Sequence, residues 1–78
     1  MPGTFTYKPI KIRRALILGN FYGQPVWITW RSKSGPKSLI DSVVGIRPDQ
    51  ILTRRGHTID IHQIKSINQL LHQESAAA

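Results

Sequence analysis

Apolar and polar residues alternate along several short segments of the chain, and a period of two residues is typical of strands with one buried face. In residues 26–31, for example, Val26, Ile28 and Trp30 fall on one face. Residues 39–46 are almost continuously apolar, which is typical of a more deeply buried strand. The pattern predicts five strands, at residues 10–18, 26–31, 39–46, 50–54 and 58–61.

Glycine, proline and asparagine separate these segments and predict the turns between them. The breaks fall at residues 19–25, 32–37 and 47–49. Gly56 permits the positive φ that a tight hairpin needs, so the last two predicted strands are expected to form a hairpin.

Two structures fit the segment at residues 61–73. Asp60 and Gln63 have the spacing of a helical capping box, and the isoleucines that follow fall near one helical face. Alternatively, a 3₁₀ turn at residues 62–64 leads into a last strand at residues 65–70. The pattern favours neither structure over the other.

These elements predict an all-β or mainly β fold, a small, strongly bent five-stranded barrel with a short 3₁₀ or α-helical C-terminal element. Closure of a barrel removes the sheet edges through which an isoleucine-rich protein would pair with its own copies. The expected core consists of Ile12, Leu16, Leu18, Val26, Ile28, Trp30, Ile40, Val44, Ile46, Leu52, Ile59, Ile61, Ile64 and Ile67.

A chain of 78 residues is expected to fold as one domain. We expect an N-terminal arm at residues 1–9, a single barrel domain at residues 10–71 and a disordered tail at residues 72–78. The absence of cysteine excludes disulfides and thiolate metal sites. The longest apolar run has four residues and no secretion signal opens the chain, so we expect a cytoplasmic protein without membrane contact.

Eleven Lys and Arg residues face only four Asp and Glu residues, which gives a formal net charge of +7. Most of this charge must lie on the surface, because burying an unpaired charge is too costly. A surface this basic attracts polyanions, and nucleic acid is the commonest of them. The charge therefore predicts DNA or RNA as the partner.

Aromatic residues lie between the basic clusters, and an exposed aromatic ring beside cations is typical of a base-stacking site. If Trp30 points into the core, the period of two places Trp27 outside, on the same face as Arg31. We expect the cationic side chains to gather on one face beside Trp27. The predicted nucleic-acid contacts are Arg13, Arg14, Tyr22, Trp27, Arg31, Lys33, Arg54 and Arg55.

The ionisable residues do not form a catalytic pattern. Asp49 lies in a predicted turn and Asp60 at a predicted cap, while Asp41 interrupts an apolar strand and needs either a basic partner or an outward, solvated position. We favour the solvated position. The three histidines lack metal-site spacing, and no glycine-rich phosphate loop is present. The sequence predicts that the protein is not an enzyme and uses no metal or cofactor.

A second class of function fits the same features. The core of so short a chain is thin, and a partner subunit would complete it. Trp and Arg are also enriched in protein interfaces. The alternative is therefore a protein–protein interaction module or a self-assembling structural subunit, with a protein partner or as a homo-oligomer, and without nucleic-acid contact.

The stretch ILTRRGHTIDIHQIKSI, at residues 51–67, resembles the end of Sm-like or Src-homology-3-like small barrels. In those domains a hairpin is followed by a 3₁₀ turn and a short last strand. More narrowly, the stretch is similar to the YolD-like family of small bacterial proteins, although the basic opening and residues 19–25 depart from that family. The resemblance implies a barrel, no catalytic residues, and a genetic association with translesion DNA polymerases in damage tolerance.

Overall fold

Seven strands, one α-helix and one 3₁₀ turn make up residues 5–72, the part of the chain that the computed structural model describes. In chain order they are β1 (Phe5–Pro9), α1 (Ile12–Tyr22), β2 (Val26–Ser32), β3 (Gly35–Asp41), β4 (Val43–Ile46), β5 (Gln50–Thr53), β6 (Thr58–Asp60), the 3₁₀ turn (Ile61–Gln63) and β7 (Ile64–His72). The fold is mainly β, as predicted. The expectations for residues 1–4 and 73–78 lie outside the described residues.

The strands form two antiparallel sheets and not the single five-stranded barrel that the sequence predicted. The larger sheet has the order β1-β7-β2-β3, and the smaller sheet has the order β4-β5-β6. The strand predicted at residues 39–46 is interrupted at Ser42, so that β3 belongs to the larger sheet and β4 to the smaller. Within residues 5–72, no hydrogen-bonded ladder closes the two sheets into a barrel.

The strand predicted at residues 10–18 is wrong, because this segment forms most of α1. Ile12, Leu16 and Gly19 have helical spacing, and Ala15 and Leu18 are buried on the same side of the helix. The same segment also alternates between polar and apolar residues, as a strand does. It forms a helix because the helix buries its apolar side against the core.

The helix also shortens the loop that was predicted at residues 19–25. It ends where Gly23 adopts a left-handed conformation with a φ of 62°, and the Gly23 N–H donates to the carbonyl oxygen of Leu18. Only residues 23–25 then connect α1 to β2.

The predictions for β2, β5 and β6 and for the turn at residues 47–49 are confirmed within one or two residues. The turn predicted at residues 32–37 is wrong at its end, because β3 begins at Gly35. At the C-terminal end, the 3₁₀ turn followed by a strand is the correct alternative. The carboxylate of Asp60 accepts a hydrogen bond from the His62 N–H at 2.9 Å, so it caps a single turn. β7 then inserts between β1 and β2, where its backbone bonds are satisfied on both sides.

Helix α1 and the smaller sheet pack against one face of the larger sheet and enclose the core. The fully or nearly buried apolar residues are Ala15, Leu18, Val26, Ile28, Val43, Ile51, Ile59 and Ile67. No helix among the described residues is both long enough and apolar enough to cross a membrane.

The predicted core is wrong in β3, β4 and β5. Val43 and Ile51 are buried where Val44 and Leu52 were expected, and Ile46 is exposed. The break at Ser42 and the register shift between Val43 and Gly45 change which alternate residues face inward. Ile40 is also exposed, because it lies on the face of the larger sheet opposite the core.

Gly19 marks the closest approach between α1 and β4. A Cβ atom at this position would overlap the backbone of Val43, chiefly its carbonyl oxygen. Glycine is therefore required here by the distance between two backbones, not by an unusual φ.

We expect Gly19→Ala to lower the free energy of unfolding by about 1–3 kcal/mol, as overpacking does, although alanine is the better helix former. Urea denaturation followed by circular dichroism measures the change. Gly45→Ala is the matched control, because a Cβ there lies 3.6 Å from the Leu52 side chain, an ordinary contact. Equal stability of Gly19→Ala and the wild type would contradict this steric explanation.

Candidate nucleic-acid interface

The two faces of β2 differ in their surroundings, and this difference places Trp27. Val26 and Ile28 are fully buried, and Trp30 packs against the core from the same strand face. Successive side chains of a strand alternate between its faces, so Trp27 points away from the core, as predicted. Its side chain is partly exposed.

Trp27 makes an aromatic contact with Tyr7 across the larger sheet. The ring centroids are 5.0 Å apart and the ring planes are nearly perpendicular, at 86°. β7 separates the two strands, with Asn68 opposite Trp27 and Leu70 opposite Tyr7. Tyr7 is 56% exposed, so the pair forms an accessible aromatic patch in the middle of the uncovered face.

Two neighbouring depressions connect this patch to several cations. The first is lined by Trp27, Thr29, Lys37 and Lys65, among others, and the second by Arg31, Lys33, His62 and Lys65, among others. Lys65 lines both depressions and joins them. None of the described residues that line either depression carries a carboxylate.

Lys65 reaches this position because β7 is irregular at that point. Thr29 pairs with Ser66 and the next residue, Trp30, pairs with Ile64, so that Lys65 is an extra residue in the ladder. We name the whole area the sheet surface, and it consists of Tyr7, Trp27, Thr29, Arg31, Lys33, Lys65, Ser66 and Asn68.

A second basic area lies on helix α1, and we name it the helix surface. One depression there is lined by Lys8, Lys11, Arg13 and Arg14, among others, and an adjoining one by Arg14, Ile17 and Tyr22, among others. We include Phe21, which is 78% exposed, because it follows Ile17 by one helical turn.

The two surfaces lie on opposite sides of the larger sheet, because α1 packs on the face that carries Val26 and Ile28 whereas Trp27 points from the other face. Of the predicted contacts, the structure brings Arg31 and Lys33 into the surface that contains Trp27. It places Arg13, Arg14 and Tyr22 together elsewhere. The single basic face that the sequence predicted is therefore divided in two.

The remaining predicted contacts, Arg54 and Arg55, belong to the turn between β5 and β6. Arg54 lies beside Gly23, at the C-terminal end of α1, where the partial negative charge of the helix favours a cation. Neither residue lines the sheet surface.

Arg55 binds the bend between β3 and β4. Its Nε atom lies 3.5 Å from a carboxylate oxygen of Asp41, and its Nη2 donates to the carbonyl oxygen of Ile40 at 2.7 Å. Asp41 is buried, so the outward, solvated position favoured from the sequence is wrong. Its carboxylate also accepts the N–H groups of Ser42 and Arg55, at 2.8 and 3.0 Å.

The pKa of Asp41 reflects these contacts. Burial raises it, but hydrogen bonds from the backbones of Arg55 and Ser42 and from the Thr53 side chain, together with the Arg55 charge, lower it by more. The net pKa lies below the ordinary value of a carboxyl group. Asp41 is therefore ionised, and we assign to Arg55 a structural role at the bend between β3 and β4.

We expect Asp41→Asn to lower the free energy of unfolding by about 1–3 kcal/mol at neutral pH, because buried backbone donors lose a charged acceptor. Since folding lowers the pKa, the stabilisation is present above about pH 4 and is lost as the pH falls through the lowered pKa. Urea denaturation at neutral and acidic pH should therefore show the difference from the wild type shrinking on acidification.

Asp49→Asn is the matched control for that experiment, because Asp49 is exposed in the turn between β4 and β5. Its effect on stability should stay within about 0.5 kcal/mol. A loss of stability in Asp41→Asn that is the same at both pH values would contradict a role for the charged carboxylate.

Sequence reasoning missed Tyr7 and Lys65 as members of the sheet surface. Tyr7 and Lys65 reach it only because β7 pairs with both β1 and β2, a long-range arrangement. Lys37 borders the first depression but pairs with Trp30, which places its side chain on the core side of β3. No three His, Asp or Glu side chains among residues 5–72 lie close enough to share a metal ion.

Comparison of the chain with protein-family models, curated proteins and solved structures finds no match. The resemblance of residues 51–67 to YolD-like and Sm-like proteins therefore stays a prediction.

Proposed function

We propose that the chain is a non-enzymatic nucleic-acid-binding module and that the sheet surface is its binding site. The observation that carries the proposal is the connection of Trp27 to three cations, Arg31, Lys33 and Lys65, through the two depressions that share Lys65. Cations contact phosphates and an aromatic ring stacks on bases, so the surface offers both components of nucleic-acid affinity.

The electrostatic state of these cations supports the proposal. Among the described residues, the one ion pair within 4 Å joins Arg55 to Asp41. Arg31, Lys33 and Lys65 are exposed and have no carboxylate partner in that part of the chain. Each is therefore available to replace a counterion on a phosphate.

The spacing of the groups also supports the proposal. Arg31 follows Trp27 by four residues on the same strand face, a separation of about 13 Å at roughly 3.3 Å per residue. Lys65 lines both depressions and therefore lies between Trp27 and Arg31. A ligand that contacts the Trp27 indole together with Arg31, Lys33 and Lys65 must be extended, as a polynucleotide is.

We expect labelled DNA or RNA oligonucleotides to bind with micromolar or tighter affinity at about 50 mM salt, and far more weakly at about 200 mM salt. Fluorescence anisotropy measures both affinities. Absence of micromolar binding at the lower salt concentration would rule the proposal out.

A pair of triple variants locates the binding site. The first replaces Arg31, Lys33 and Lys65 with Gln, and the control replaces Lys11, Arg13 and Arg14 with Gln. Each removes three charges from the net charge of +7, and all six residues are exposed. We expect the first variant to bind about 10-fold or more weakly and to lower the slope of log affinity against log salt by about 2, at about 0.7 per lost phosphate contact.

The control variant should lose less than about 3-fold, since it changes only the general field of the protein. Equal losses in the two variants would show that net charge, not the sheet surface, governs the affinity.

The resemblance of residues 51–67 to YolD-like proteins adds a setting to this proposal. It supports an accessory role in DNA-damage tolerance, in the cytoplasm of a bacterial cell, with DNA as the ligand. The anisotropy experiment tests whether DNA is the ligand when it compares DNA with RNA of the same sequence.

The helix surface supports a second candidate function, which is docking to a protein partner or to another copy of the chain. Three large side chains of α1 are exposed, Ile17 by 45%, Phe21 by 78% and Tyr22 by 71%. Apolar residues scattered singly on a surface need no explanation, but three on one short helix form a patch that an interface would bury.

Light scattering over a range of concentrations tests self-association through this patch. A mass above that of one chain, reduced to one chain by Phe21→Ser, would support the second candidate. Ile40→Ser is the control, because it removes a comparably exposed apolar residue from the other side of the larger sheet. A single-chain mass for the wild type at every concentration would exclude self-association.

A further inference from the structure

The sheet surface contains a row of polar side chains beside Trp27 that phosphate binding alone does not require. The hydroxyl oxygens of Thr29 and Ser66 lie 2.6 Å apart, and the Asn68 Nδ2 donates to the Ser66 hydroxyl at 3.4 Å. Thr29 and Ser66 face each other across β2 and β7, and Asn68 faces Trp27 in the next position. The row therefore lies directly against the aromatic pair.

This row has spare hydrogen-bonding capacity. Each hydroxyl offers one donor and two acceptor sites, and the carboxamide of Asn68 offers two donors and a carbonyl oxygen. The two contacts within the row use only part of this capacity. Thr29 and Ser66 are partly exposed, so their hydroxyls can reach a ligand over Trp27, whereas Asn68 is buried and holds the Ser66 hydroxyl in place.

We infer that the sheet surface binds single-stranded nucleic acid, with one base stacked against Trp27 and the edge of that base hydrogen-bonded by Thr29 and Ser66. This inference rests on the proposed function and specifies its ligand. Arg31, Lys33 and Lys65 hold the phosphates of the nucleotides that extend toward the β2–β3 turn.

A single strand fits because its bases are free to splay out and stack on an aromatic ring, whereas a duplex keeps its base faces covered. The other way to use these cations is to insert the β2–β3 hairpin into a major groove, as two-stranded ribbons do. Trp27 lies six residues before the turn residue Lys33, about 20 Å along the strand, so a groove-bound hairpin tip would leave the aromatic pair and the polar row unused.

Tyr7 supports the stacking role by fixing the indole. The edge contact between the two rings restricts rotation of the Trp27 side chain, and Trp27 nevertheless remains partly exposed. An aromatic ring held in place before binding loses little conformational entropy when a base stacks on it.

The first experiment compares a thymidine oligonucleotide of about 12 nucleotides with a duplex of the same length, by fluorescence anisotropy at about 50 mM salt. We expect the single strand to bind about 10-fold or more tightly than the duplex. Trp27→Ala should weaken single-strand binding by about 10-fold or more and leave duplex binding nearly unchanged. Phe21→Ala is the control, because Phe21 is an exposed aromatic residue of the helix surface, on the other side of the larger sheet.

A second readout uses conservative variants, in case Trp27→Ala does not fold. Trp27 and Trp30 are the only tryptophans in the chain, so either one can be replaced by Phe and the fluorescence of the other measured. We expect the thymidine oligonucleotide to quench the fluorescence of Trp30→Phe, in which Trp27 remains. It should quench the fluorescence of Trp27→Phe less, because Trp30 packs against the core and only borders the depression.

The polar row has its own test in the double change Thr29→Val and Ser66→Ala, which removes both hydroxyls and leaves the cations and the indole in place. We expect this variant to bind thymidine, cytidine and adenosine oligonucleotides with more nearly equal affinities than the wild type does. Unchanged relative affinities would overturn the assignment of the row to base contacts.

The outcomes distinguish failure of this inference from failure of the proposed function. Equal or tighter binding of the duplex, with loss in the triple variant of Arg31, Lys33 and Lys65 but none in Trp27→Ala, would overturn the inference. The proposed function would stand, with the hairpin as a groove binder. Failure of both oligonucleotides to bind would overturn both.

Discussion

The carboxylate of Asp41 stabilises the bend on which the arrangement of both surfaces depends. It accepts the N–H groups of Ser42 and Arg55 at the point where the chain leaves the larger sheet for the smaller one. The adjoining Arg54 N–H donates to the Ser42 carbonyl oxygen, so the β5–β6 turn is fastened to the bend by backbone as well as side chain. Because the chain turns here, the smaller sheet joins α1 on one face of the larger sheet, and the other face stays open.

This open face explains why an aromatic pair and a polar row are accessible in so small a protein. A second covering layer on this face would have buried Trp27 and Tyr7. Instead the core is enclosed on one side alone, and the cations fall into two groups on opposite sides of the larger sheet. A ligand bound to the sheet surface would leave the helix surface exposed to a second partner, which is a suitable arrangement for an accessory module.

Local signals predicted the parts of the fold that local chemistry determines. The alternation in β2 placed Trp27 outside and Trp30 inside, and Gly56, with a φ of 93°, forms the hairpin turn expected of it. The helical segment was misread because Ile12, Ala15, Leu16 and Gly19 satisfy a helical period while their neighbours satisfy a strand period. Trp27, Arg31 and Lys33 were grouped correctly, as they share one strand and its turn. Tyr7 and Lys65 join them through long-range pairing, which no local pattern encodes.

Whether nucleic acid binds the open face of the larger sheet is best tested by a nuclear magnetic resonance titration of the labelled protein with a single-stranded oligonucleotide of mixed sequence. We expect the backbone signals of β2 and β7 to shift together with the Trp27 indole N–H, while those of α1 stay in place. Shifts confined to α1 and the β5–β6 turn, or no shifts at all, would contradict it.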